Sequence, residues 1–110
     1  MAISDIENTI VDKAKKIYYL PIPKTIGGLK KRAKQYSLKT TKKIKGVRYP
    51  KTQTELTRML TKIKSEKSEK FIKSLIFNIA IKYLLKIQNL AYKQKLAIAS
   101  QIANRHYKSF

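Results

Sequence analysis

Three observations predict an all-α fold. All three glycines and all three prolines fall between Pro21 and Pro50, which leaves the flanking segments free of helix breakers. On both sides, apolar residues recur at three- and four-residue steps, the spacing of a buried helix face. No alternation of apolar and polar residues runs long enough to mark a strand. The 110 residues therefore divide into a helical segment 1–20, an irregular segment 21–51 and a helical segment 52–110.

The first helix is predicted over Ile3 to Leu20. Ser4 and Glu7 have the S-x-x-E spacing of a capping box, and Asp5 and Glu7 complement the positive end of the helix dipole. Ile3, Ile6, Ile10, Ala14, Ile17 and Tyr18 form its apolar stripe, and Pro21 and Pro23 stop it. In the last segment, Thr52 and Glu55 form a second capping box ahead of the apolar face Leu56, Met59, Leu60 and Ile63. The polar run "KSEKSEK" (Lys64 to Lys70) reads either as a connection capped by Ser65 or Ser68, or as an exposed helical turn. Phe71 to Ile87 is apolar on nearly every side, the pattern of a central core helix. After Asn89, a stripe of Tyr92, Leu96, Ala99, Ala103 and Tyr107 lies beside Ala91, Ile98 and Ile102 and marks a last helix.

Sixty residues in a helical hairpin or small bundle make a thin core. Either the first helix packs onto it or a second chain does, and the wide apolar surface of Phe71 to Ile87 favours a dimer. The expected self-association residues are Leu75, Ile76, Ile79, Tyr83, Leu84 and Ile87, with Leu96, Ala99 and Ala103 on the last helix.

Charge is the strongest functional signal. The chain carries 26 basic and 6 acidic residues, a formal net charge of +20, where small soluble domains carry a magnitude of roughly 2–8. Such an excess repels itself and attracts polyanions. Residues 1–20 are neutral, whereas 21–51 contain Lys24, Lys30, Lys31, Arg32, Lys34, Lys39, Lys42, Lys43, Lys45, Arg48 and Lys51 and no acid. This segment reads as a nucleic-acid-binding arm, with Lys30, Lys31, Arg32, Lys42, Lys43 and Lys45 ranked first on charge density. Fully extended it reaches ~100 Å. Gly27, Gly28 and Gly46 permit turns and close approach to phosphates. If the arm becomes helical on binding, Leu29, Ala33, Tyr36 and Leu38 face a partner. Tyr36 and Tyr49 are candidates for stacking on bases, or else for packing.

Twenty net charges match the phosphates of ~10 base pairs, the stoichiometry of a protein that coats duplex DNA. Lysine outnumbers arginine 22 to 4, and base reading relies heavily on arginine. Backbone contact without sequence preference is therefore expected. RNA stays open as the polyanion, as for a ribosomal or other structural RNA-binding protein.

Enzymatic function is not expected. His106 is the single histidine, the six carboxylates are scattered or placed as helix caps, and "IGGLKK" lacks P-loop spacing. Cysteine is absent, and no cofactor or metal site is expected. "MAISDIENTI" does not read as a secretory signal, and no run of apolar residues is long enough to span a bilayer. A membrane-active role is disfavoured because Lys73, Lys82 and Lys86 do not share a helix face.

The layout resembles the nucleocapsid (major coat) proteins of filamentous archaeal DNA viruses. The likeness is carried by "LPIPKTIGGLKKRAK", the run to "GVRYPK" and the breaker-free part from Thr52 to Phe110. It is a likeness of architecture and composition. It implies helical subunits that form homodimers or heterodimers within a larger assembly, basic arms that wrap the viral duplex, and a place in the virion. Outside a virion, the same features describe an intracellular, DNA-associated chromatin-like protein.

Overall fold

The computed structural model describes residues 3–110. Along the chain run helix α1 (Ile3–Tyr19), helix α2 (Ile26–Gln35), strands β1 (Thr41–Ile44) and β2 (Val47–Pro50), helices α3 (Gln53–Glu66), α4 (Glu69–Leu84) and α5 (Tyr92–His106), and a 3-10 turn at Tyr107–Ser109. The chain is thus largely helical, with a small antiparallel sheet that the expectation of an all-α fold did not include.

α4 is the hub. Its buried residues Ile72, Leu75, Ile76, Ile79, Ala80 and Leu84 cover about half of the helix circumference at ~100° per residue, wide enough to receive more than one neighbour. α1 and α5 pack directly on it, α2 touches it as well, and α3 packs on α2. The core draws on every segment of the sequence, from Ile10 and Ala14 of α1 through Leu29 and Ala33 of α2 to Phe110. The neutral first helix, the basic segment and the C-terminal helices therefore share one core.

This arrangement changes the reading of the self-association residues. Leu75, Ile76, Ile79, Leu84, Ala99 and Ala103 are buried within the chain's own core, and Tyr83, Ile87 and Leu96 are half-buried. The wide apolar surface of α4 is met by α1, α2 and α5, so a second chain is not needed to cover it. The burial a dimer was expected to supply is intramolecular.

Local chemistry sets the helix ends. The Ser4 side chain, expected to cap α1, lies outside the described residues. At the other end, Arg32 Nη1 donates to the carbonyls of Ile17, Leu20 and Pro21 at 3.4, 3.5 and 3.5 Å, and Lys64 Nζ donates to Leu20 at 3.2 Å. These cations satisfy carbonyls at the end of α1, where the helix stops; the Ile17 carbonyl also accepts from the Leu20 N–H at 3.2 Å. The α3 capping box forms as expected: the Glu55 N–H donates to Thr52 Oγ1 at 3.2 Å, and the Thr52 N–H donates to Glu55 Oε1 at 3.3 Å. α3 ends at Lys67, which adopts a left-handed conformation (φ 47°) and splits "KSEKSEK" into a helix end and the Ser68 N-cap of α4.

α2 is a folded helix in the segment read as an arm. Thr25 caps it, accepting from the Gly28 N–H at 3.1 Å. Gly28 is needed for space: a Cβ there would lie 2.8 Å from Pro23 Cβ and 3.0 Å from Thr25 Oγ1. Its role is close packing of the chain on itself, where approach to phosphate was expected. The carboxyl end turns through Ser37 (φ 59°), and the Leu38 N–H donates to Ala33 O at 2.8 Å. Asn78 of α4 clamps this turn, donating from Nδ2 to Gln35 O at 3.0 Å and to Ser37 Oγ at 2.7 Å. No helix among the described residues is long and apolar enough to cross a membrane.

Two predictions follow from α2. Gly28→Ala lowers stability by about 1–3 kcal/mol because the proline ring cannot yield, whereas Gly27→Ala, with open space around its Cβ, raises it by about 0.5–1 kcal/mol. Asn78→Ala costs about 1–3 kcal/mol by leaving the α2 terminus without its donor. Urea unfolding of the three variants beside the parent protein checks both.

Candidate nucleic-acid interface

The basic segment contains an exposed two-stranded ribbon. Thr41 pairs with Pro50, Lys42 with Tyr49, Lys43 with Arg48, and Ile44 with Val47. Lys45 and Gly46 close the turn with φ values of 49° and 82°, the double positive φ of the tight hairpin turn whose twist matches the strands. Asn-Gly and Asp-Gly are the usual sequence signals for it. Lys-Gly hid it, together with strands of four residues.

Since paired residues share a face, the ribbon has two distinct sides. One carries Thr41, Lys43, Arg48 and Pro50; the other carries Lys42, Ile44, Val47 and Tyr49. Apart from half-buried Lys42, every residue from Thr41 to Pro50 is exposed, including Ile44 at 47%, Val47 at 53% and Tyr49 at 46%. The ribbon is anchored at its root. Lys42 forms an ion pair with Glu55 of α3, Lys51 Nζ lies 3.4 Å from Met59 Sδ, and the Lys51 N–H donates to Thr40 O at 2.8 Å. The Lys42 ammonium and the capping hydrogen bonds hold the Glu55 carboxyl below its ordinary range. The tip, from Lys43 to Arg48, stands clear. A radius of gyration of 15.2 Å, against ~13 Å for a rounded domain of this length, reflects the elongated outline.

Lys43 directly opposite Arg48 is an unfavourable arrangement for an isolated hairpin, because like charges across a strand pair repel. An anion between them reverses the sign. With Lys45 at the turn, three exposed cations lie within six residues and without a carboxylate partner among the described residues.

The other expected contact residues divide by environment. Lys24, Lys31, Lys34 and Lys39 are exposed, and Lys30 is half-buried. Arg32 points inward to cap α1, and Lys42 is held by Glu55, so two of the six first-ranked residues have intramolecular work. Tyr36 is 2% exposed and packs in the core, not at a surface where it could stack on a base. Tyr49 remains available. Among the described residues only Lys42, Lys73 and Arg105 of the 26 Lys and Arg residues pair with a carboxylate. His106 is a structural residue, with Nε2 2.9 Å from Glu7 Oε1 beside Arg105 at 3.1 Å, tying α5 to α1.

Comparison of the chain with protein families, with curated proteins and with solved structures finds no match.

Burial pushes the Tyr36 hydroxyl up to about 12, with nearby Arg32 opposing the rise. In the unfolded chain it ionises near 10.0. The sign follows: the neutral phenol contributes its full stability below pH 10, and that stability is lost as pH rises towards 12. Tyr36→Phe is therefore expected to gain on the parent between pH 10 and 12, by on the order of 2 kcal/mol. Urea unfolding of both proteins across this range, beside a pair of curves at pH 7, checks it.

Proposed function

We propose that the protein binds double-stranded DNA without sequence preference and coats or condenses a genome, as a nucleocapsid or chromatin-like protein. The observation that carries this reading is the exposed basic ribbon. A two-stranded ribbon is one of the two elements that fit the major groove of B-form DNA, and Lys43, Lys45 and Arg48 are placed on its basic face and tip. The deep, narrow major groove of duplex RNA does not admit side chains in this way, which favours DNA over a structural RNA as the natural polyanion.

Lysine predominance supports backbone contact, because a compact ammonium neutralises phosphate without reading a base. The basic surface of α2 at Lys31 and Lys34 extends the charge beyond the ribbon. On this reading the protein binds and does not catalyse, and the roles of Glu55 and Glu7 as a cap and a tie between helices support it. The architectural likeness to nucleocapsid proteins of filamentous archaeal DNA viruses suggests the setting, a virion in which many copies line one duplex. Contacts between copies then use surfaces outside the α4 core, which is already filled.

The test is a titration of two unrelated DNA duplexes and an RNA duplex of equal length, each at several salt concentrations. The two DNA sequences should bind alike and more tightly than RNA, saturating near one protein per ~10 base pairs. Lys43→Gln with Arg48→Gln should lower DNA affinity and reduce the slope of log K against log salt by roughly 1.8. An unchanged slope would sink the ribbon as the contact, and preference for RNA would sink the DNA reading.

A further inference from the structure

α1, α2, α4 and the start of α5 enclose an open groove of about 720 Å³. Lys13 contributes from α1, Lys31 and Lys34 from α2, and Lys82 and Lys86 from the end of α4 and the turn after it. Among the described residues, no carboxylate lines it. The groove is otherwise largely apolar, and three of its members, Phe77, Tyr83 and Tyr92, are aromatic. Tyr92, the first residue of α5, is 61% exposed at this groove. Tyr83 sits between two ammonium groups: Lys13 and Lys86 lie 5.4 and 5.7 Å from its ring centre, and Lys13 Nζ is 3.3 Å from its hydroxyl.

Charge and surface together define the occupant. Five cations with no acid call for several negative charges, more than the single carboxylate of a fatty acid provides. The Tyr92 ring, left facing water while Phe77 and Tyr83 are half-buried, calls for a flat apolar surface to cover it. Duplex DNA has the charges but keeps its bases stacked inside. A single strand presents both phosphates and bare base faces, and alternation of stacking aromatics with cations is how proteins bind it without sequence preference.

We propose that this groove binds a short stretch of single-stranded nucleic acid, with a base stacked on Tyr92 and phosphates held by the surrounding lysines, among them Lys13 and Lys86 at the Tyr83 ring. The site is distinct from the ribbon and does not depend on the duplex reading. A protein with both sites engages a duplex by its ribbon and holds a melted or terminal stretch in the groove.

The experiment compares a thymidine oligonucleotide of about ten residues with an abasic oligomer of the same length and charge, using the full chain. The thymidine strand should bind at least roughly tenfold more tightly, the effect of stacked bases beyond charge. Tyr92→Ala, at an exposed position that leaves the core intact, should abolish most of that difference. Lys82→Gln with Lys86→Gln should weaken both oligomers and flatten their salt dependence. Lys43→Gln with Arg48→Gln should weaken the duplex while preserving the preference for thymidine over abasic strand, which separates failure of one site from failure of the other. Equal binding of the two oligomers, or no effect of Tyr92→Ala, overturns the proposal. So does an acidic amphipathic peptide that binds the parent protein and loses affinity with Tyr92→Ala while the thymidine strand does not.

Discussion

Everything else in this protein depends on the burial of α4. A chain of net charge +20 must hold together against its own repulsion, and the magnitudes show why it can. Two exposed lysines ~10 Å apart in water repel by about 0.4 kcal/mol before salt screening, and by less once screened. Burying one Ile or Leu side chain contributes about 1.5–3 kcal/mol. α4 alone buries Ile72, Leu75, Ile76, Ile79 and Leu84, and α1, α2 and α5 each bring apolar residues to it. With the exception of buried Lys95, the lysines are half-buried or exposed, and they are tolerable because the apolar residues are concentrated at the centre.

Much of this was legible in the sequence, for physical reasons. The Thr52–Glu55 capping box, the Ile10–Ala14–Tyr18 stripe of α1, the apolar character of α4 and the Ala99–Ala103 part of the α5 stripe are local patterns that survive folding, whereas Tyr92 of the expected stripe is exposed. The middle segment was harder. Leu29, Ala33 and Tyr36 stand at helical spacing and α2 forms there, but the density of lysine suggested a segment that stays extended until phosphates neutralise it. The α2 core residues instead found their partner within the chain. The hairpin was concealed because Lys45 occupies a left-handed position that Asn or Asp would have advertised. No one-dimensional signal places Arg32 beneath the end of α1, or brings Lys13 to Lys82 and Lys86, because those meetings depend on how helices distant in sequence cross.

The two kinds of cation are used differently. Of the four arginines, Arg32 bridges three carbonyls and Arg105 joins Glu7 to Gln101. A guanidinium with several donors in a rigid fork suits such multiple ties. Lysine supplies most of the free charge at the ribbon, on α2 and around the groove. A flexible ammonium adapts to phosphates at varying positions, which the proposed binding without sequence preference would require.

The ribbon's own energetics couple its order to its ligand. Three exposed apolar side chains, a lysine forced into a left-handed turn and two cations facing each other across the strands all weaken the hairpin in isolation. What holds it is the anchorage at its root, through the Lys42–Glu55 pair and the Lys51 contacts with Thr40 and Met59. On the proposed reading, a phosphate between Lys43 and Arg48 would turn their repulsion into a bridge. The walls of a groove would cover Ile44, Val47 and Tyr49, which water otherwise faces. The features that cost stability in the free protein are those that a polyanion's surface relieves, so the ribbon tip should be the part of the fold that binding stiffens most.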